Sequence, residues 1–167
     1  YFENYIYLKP TGRFPVYDFP DTIIPFPEPG QVYEYVESEV IHRGAEIDVE
    51  YHLTNHWNLQ AAGSYVELKQ MNSNVHLPLV PPLKWNVGLR WETDLERRLN
   101  FIYAGVQLDA AADQKQVDQN ENETPGYEII NLMAGIKFGK KSQWNLDLSI
   151  RNLLDEQYFN HLSQYRQ

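Results

Sequence analysis

Cysteine is absent from the 167 residues, which excludes disulfides, thiolate metal centres and cysteine nucleophiles. Long apolar runs are absent too. No stretch approaches the roughly 18 apolar residues that a membrane helix needs, and the mean hydropathy is −0.56. Helical spans are thereby removed, but strands are not. A transmembrane β-strand takes only about 9–11 tilted residues, and only every second one meets lipid. Basic charge is scarce: 14 Lys and Arg against 23 Asp and Glu leave a formal charge of −9. Such a balance repels phosphates and argues against a nucleic-acid partner. No signal peptide stands at Tyr1, and the chain starts inside a strand-like pattern. It is therefore expected to be an internal piece of a longer polypeptide.

Aromatic residues are plentiful at 14%, with 12 Tyr and 4 Trp. The dominant pattern is alternation. Ala45, Ile47, Val49, Tyr51 and Leu53 are interleaved with Glu46, Asp48, Glu50 and His52. Trp85, Val87, Leu89 and Trp91 alternate with Asn86, Gly88, Arg90 and Glu92. Trp144, Leu146, Leu148 and Ile150 alternate with Asn145, Asp147, Ser149 and Arg151. A helix would scatter these sets around its circumference, whereas a strand puts each on one face. Weaker alternation covers Leu59–Tyr65 and 127–138, where Ile130, Leu132, Ala134, Ile136 and Phe138 share a side. In 99–109, Leu99, Phe101 and Tyr103 are expected to face one way and Ile102, Ala104 and Val106 the other. Phe2–Leu8 also reads as a strand.

The connections alternate in length. Thr54–Trp57, Asp94–Arg98 and Gly139–Gln143 are short and polar. Pro10–Val32 holds six of the ten prolines, Asn72–Leu83 holds three more, and Ala110–Pro125 is acidic and amide-rich. Short turns on one side and long loops on the other are expected of an up-and-down barrel in an outer membrane. The expected fold class is thus all-β: an antiparallel up-and-down transmembrane β-barrel, of which this chain supplies about seven strands. Trp57, Trp85, Phe138 and Trp144 are placed beside the short turns, as an aromatic girdle at one membrane surface.

Several stretches then point to a family. They are Asn4-Tyr5-Ile6-Tyr7, Gly44-Ala45-Glu46, Leu77-Pro78-Leu79-Val80-Pro81-Pro82, Thr124-Pro125-Gly126-Tyr127, and Asn152 to Tyr158 followed by Asn160-His161-Leu162-Ser163. Their order and spacing over residues 1–167 resemble the C-terminal barrel portion of TonB-dependent outer-membrane receptors. The resemblance implies a plugged barrel of about 22 strands in the outer membrane of a Gram-negative bacterium. It implies a plug domain and a last strand that are not in this chain, with TonB engaged through the plug. It also implies uptake of a scarce nutrient, such as a ferric siderophore (iron uptake) or other metal chelate. A passive porin or surface adhesin is the alternative, and a soluble β-sandwich binding module is a weaker one. No enzyme activity, catalytic residue or cofactor is expected.

The candidate residues follow from the faces. Glu46, Asp48, Glu50, Arg90, Asp147 and Arg151 are assigned to the lumen-lining side, the arginines balancing the carboxylates or contacting the plug. A catalytic reading of the three carboxylates finds no partner nucleophile. Tyr17, Phe19, Phe26 and Tyr33, in or beside the first long loop, are candidates for apolar contacts to a ligand. His42, His52, His56, His76 and His161 lack tight ligand spacing, apart from His52 and His56 across a turn, and are read as solvated or lumen-lining imidazoles. Asp109, Asp113, Asp118, Glu121 and Glu123 lack the glycine and spacing of a calcium loop and are read as part of a mobile, solvated segment.

Overall fold

The computed structural model describes residues 1–13, 32–73, 75–95 and 99–163. They form seven strands: β1 (Phe2–Pro10), β2 (Tyr33–His52), β3 (Trp57–Gln70), β4 (Lys84–Asp94), β5 (Leu99–Ala111), β6 (Tyr127–Phe138) and β7 (Trp144–Ile150). The strands lie antiparallel in one sheet, in chain order. The only helical element among the described residues is a single 3-10 turn, Lys140–Ser142. No helix among the described residues is long and apolar enough to cross a membrane.

The chain divides into two compact units. The first comprises Tyr1–Arg43, Glu67–Val80 and Lys115–Glu123; the second comprises Gly44–Val66, Pro81–Gln114 and Thr124–Gln167. In the first unit β1 pairs with the start of β2, from Phe2 opposite Val40 to Pro10 opposite Tyr33. Val40, Leu77 and Val80 are its buried apolar side chains. Most residues of the acidic connection are exposed, as expected from sequence, but two of its carboxylates are engaged by the protein. Asp118 is only 2% exposed. It accepts a hydrogen bond from the Asn120 amide at 3.1 Å and faces the Lys9 ammonium at 3.9 Å. Asn120 Nδ2 donates to the Pro10 carbonyl at 3.0 Å. Both Glu121 carboxylate oxygens accept from the Leu79 amide, at 3.1 and 3.2 Å. These two carboxylates depart from a purely solvated reading because they accept from the backbone amides of Asn120 and Leu79.

In the second unit the registers fix the faces, because residues paired across a ladder share a face. Trp57, Leu59, Ala61 and Gly63 stand opposite Trp91, Leu89, Val87 and Trp85. Val87 and Leu89 stand opposite Leu108 and Val106, which pair in turn with Ile130 and Leu132. Leu132, Ala134, Ile136 and Phe138 pair with Ile150, Leu148, Leu146 and Trp144, the register that the alternation predicts. The side-chain atom Cγ2 of Ile47 lies 3.4 Å from the site of a Cβ on Gly63, which puts β2's apolar set on the same side. One face of the sheet is therefore apolar across β2 to β7. Slipping any strand by one residue would move its apolar set to the other face.

Two placements differ from expectation. Trp85 is the second residue of β4 and follows the long connection, so it stands at the end of the strands remote from the short turns; Trp91, opposite Trp57, takes the place expected of it. Leu99 does not share a face with Phe101 and Tyr103. An irregularity between Leu99 and Phe101 sets Leu99 opposite Phe138 and Phe101 opposite Lys137. A bulge inserts one extra residue and so reverses the alternation beyond it.

Past β7 the chain is fastened through Asn152 and its neighbours. Asn152 Nδ2 donates to the Glu156 carbonyl at 3.0 Å, and Asn152 Oδ1 accepts from the Glu156 amide at 2.9 Å. The Asn152 amide donates to Asn131 Oδ1 at 2.9 Å, and the Leu153 amide to the Ile130 carbonyl at 2.8 Å. Asn152 adopts φ +52°, a left-handed conformation that asparagine tolerates better than most residues. Asn152→Ala removes both side-chain bonds and is expected to lower stability by about 1–3 kcal/mol. Asn152→Gly, which keeps the backbone freedom, should lose less. Urea unfolding of the full-length protein measures both, and an unchanged midpoint for the alanine variant would contradict the fastening role.

Candidate functional site: the polar face

Strand alternation presents Glu46, Asp48, Glu50 and His52 on the face opposite Ile47 and Val49. On β4 the same face carries Asn86, Arg90 and Glu92, on β5 Tyr103 and Asp109, and on β7 Asn145 and Asp147. Five of the six residues assigned to this side by sequence lie within strands. The sixth, Arg151, directly follows β7 and forms no ion pair among the described residues.

A connected row of polar groups runs across these strands near the short turns. His52 Nδ1 is hydrogen-bonded to Asn58 Oδ1. Asn58 Nδ2 donates to Glu92 Oε1 at 3.1 Å. Glu92 Oε2 lies 2.9 Å from Arg90 Nε, a charge contact. The Arg90 guanidinium sits 4.1 Å from the centre of the Tyr103 ring, a favourable cation–π arrangement. Tyr103 OH donates to Asp147 Oδ1 at 2.6 Å, and Asn145 Nδ2 donates to the other oxygen of Asp147. Arg90 and Asp147 are thus joined through Tyr103. The arginine is matched with Glu92, not with the β2 carboxylates.

The row crosses β6 because Gly135 is there. Tyr103 pairs with Gly135, and Gly135 pairs with Asp147. A Cβ on Gly135 would run into the Tyr103 ring and lie 2.6 Å from Asp147 Oδ1. Sequence reasoning missed Tyr103, Glu92, Asn58 and Gly135 as a group. The available signal was a glycine inside a strand pattern, which marks close approach of another group.

Towards the long connections, the sheet holds a cavity of 520 Å³ lined by Glu46, Asp48, Lys84, Asn86, Asp109 and Tyr127, among others. Asp109 is already engaged there: Gln107 Nε2 donates to it at 2.7 Å and Asn131 Nδ2 at 2.6 Å. The Tyr127 ring lies 4.4 Å, centre to centre, from that of Tyr158.

The histidines are dispersed. His42 stacks on Phe2, and a His56 ring nitrogen lies 3.1 Å from the Glu92 carbonyl. Buried His161 contacts Thr124 Oγ1 at 2.9 Å. His52 and His56 serve different partners across their turn. Burial, and then the Lys69 ammonium, hold the His76 imidazole below its ordinary value, with Glu67 opposing. A lowered histidine value favours the neutral ring, so that contribution is complete at higher pH and is lost as pH falls through the folded value. No group of three or more His, Cys, Asp or Glu residues is arranged to hold a metal among the described residues. Of the four aromatic ligand candidates, Tyr33 opens β2 opposite Pro10, and Tyr17, Phe19 and Phe26 lie outside the described residues.

One apolar face, one polar face, short turns at one end and long connections at the other define a strand set of the outer-membrane barrel class. The model of the family "TonB dependent receptor-like, beta-barrel" matches residues 1–153, and the chain belongs to that family. Among solved structures, the copper transporter OprC shares the fold with a TM-score of 0.68 at 22% identity, covering 80% of this chain and 20% of that one. The chain therefore spans about a fifth of that transporter's length. No curated protein matches it.

Proposed function

We propose that this chain is part of the wall of an active transporter in the outer membrane of a Gram-negative bacterium. The transporter takes up a scarce nutrient, such as a ferric siderophore or other metal chelate, and TonB energises it through a plug domain. One observation carries the reading: a strand set of this family with an unbroken apolar face on one side and charged side chains on the other. Ile47, Leu89, Leu148 and their neighbours then meet lipid. Glu46, Asp48, Glu50, Arg90, Asp147 and Arg151 line a hydrated lumen, where carboxylates carry no desolvation cost. The long connections face outward, where cargo arrives. The action is binding and gating, with no bond made or broken. The likeness to a copper transporter agrees with a metal-containing cargo. The test is uptake of radiolabelled metal chelates by cells that express the full-length receptor, with and without TonB. Uptake that depends on TonB supports the reading. Uptake indifferent to TonB indicates a passive pore, and a receptor absent from the outer-membrane fraction contradicts the reading altogether.

A further inference from the structure

The 520 Å³ cavity on the polar face has charges of opposite sign on its two sides, and they do not meet. Gly44 approaches Val66, and Gly63 approaches Ile47. On the same count Glu46 stands beside Ser64, and Asp48 beside Ala62. Ser64 and Ala62 pair in turn with Lys84 and Asn86. Two rows therefore cross β2, β3 and β4 side by side: Glu46, Ser64, Lys84 and Asp48, Ala62, Asn86. The middle residue of each row is small, so β3 forms a low floor. Carboxylates stand on one wall, and an ammonium and a carboxamide on the other.

Neighbouring strands lie about 4.8 Å apart, so β2 and β4 are separated by roughly 9.6 Å across that floor. The gap is too wide for a direct pair. Among the described residues Glu46, Asp48 and Lys84 form no ion pair, and the Asn86 side chain forms no hydrogen bond. Asp109, on the β5 side of the cavity, is already satisfied by Gln107 and Asn131.

An occupant that bridges the walls must carry a cationic donor towards β2 and an anionic acceptor towards β4. Charge-assisted hydrogen bonds are about 2.8 Å long. One at each wall leaves roughly 4 Å between the occupant's own charged groups. In an α-amino acid three bonds, each about 1.2–1.5 Å, join the nitrogen to a carboxylate oxygen, a span of that order. A dicarboxylate would set like charge against Glu46 and Asp48, and a diamine would set it against Lys84.

We propose that this cavity recognises a free α-amino-acid group on the cargo, its ammonium against Glu46 and Asp48 and its carboxylate against Lys84 and Asn86. The proposal deepens the transport reading above and rests on it, because the polar face meets cargo only as the wall of a lumen.

Saturation-transfer NMR on the full-length receptor in detergent tests it with three probes of one skeleton: phenylalanine, N-acetylphenylalanine and phenylalaninamide. Phenylalanine is chosen because Tyr127 borders the cavity and offers its ring an aromatic neighbour. Phenylalanine should bind roughly three- to tenfold more tightly than either derivative, each of which lacks one of the two charges. Glu46→Gln/Asp48→Asn should abolish the discrimination against N-acetylphenylalanine, and Lys84→Met that against phenylalaninamide. Both variants should stay folded, as judged by resistance to SDS before heating. Asp94→Asn, at the far end of β4, should keep the full preference. Equal binding of the three probes, no binding of phenylalanine because plug residues fill the cavity, or a preference that survives both variants overturns the proposal. The uptake assay separates the two readings. TonB-dependent uptake by a receptor without the preference removes this proposal alone, whereas TonB-indifferent uptake by a receptor that shows it removes active transport and leaves the site.

Discussion

Leu148→Arg is expected to block assembly of the barrel, whereas Ser149→Arg, one residue further, leaves most of it intact. Leu148 pairs with Ala134 in the apolar face, and Ser149 pairs with Met133 on the other. The Leu148 side chain is 64% exposed, so the arginine meets no protein obstacle, and any penalty must come from the surroundings. A charged side chain near the middle of a barrel's lipid face costs roughly 2–4 kcal/mol, against little in a hydrated lumen. The readout is the fraction of full-length receptor that reaches the outer membrane in a form that migrates compactly before boiling. Equal loss in the two variants would mean that neither face is set against lipid.

The second large effect is expected at Gly135. Tyr103 reaches Asp147 across β6 only because Gly135 has no side chain. The Tyr103 ring is held on both sides, by the Arg90 guanidinium and by the Asp147 carboxylate, so it cannot swing away without breaking those contacts. Gly135→Val should destabilise the fold by about 1–3 kcal/mol, the usual range for forced overpacking, and Gly135→Ala by less. Gly88→Ala is the control. A Cβ there meets only the Val106 carbonyl, at 3.8 Å. Urea unfolding should rank the variants in that order. Combining Tyr103→Ala with Gly135→Ala should recover part of the loss, because the ring that clashes has gone. If Gly135→Val and Gly88→Ala unfold alike, the row of groups across β4 to β7 has no structural role.

Much of this fold is legible in the sequence because a strand's period of two is short and β7 carries it without interruption. Trp144, Leu146, Leu148 and Ile150 can face only one way, and a five-residue turn fixes how they meet β6. The alternation of short and long connections is legible for the same reason. What the sequence hides is non-local. The bulge at Leu99 reverses a face without any change in residue type. Trp85 and Trp91 sit on one face of one strand, and only the strand direction says which lies beside the short turn. The charges at Glu46, Asp48, Arg90 and Asp147 are legible as one polar face, but their partners are not. Arg90 finds Glu92 on its own strand and Tyr103 on the next, and Asp147 receives a hydroxyl from two strands away. Within the acidic connection, composition does not reveal that Asp118 and Glu121 accept backbone amides.

The central claim is that one face of this sheet meets lipid and the other meets water. A cysteine scan along β7, residues 144–150 one at a time, tests it most directly. The chain contains no cysteine of its own, so each introduced thiol reports from a single site within it. The full-length receptor, with any other cysteine replaced, is reconstituted in vesicles and labelled with an environment-sensitive fluorophore, then exposed to brominated lipid or to aqueous iodide. Positions 144, 146, 148 and 150 are expected to be quenched by brominated lipid and positions 145, 147 and 149 by iodide. A reversed alternation, or quenching by iodide at every position, would contradict the claim.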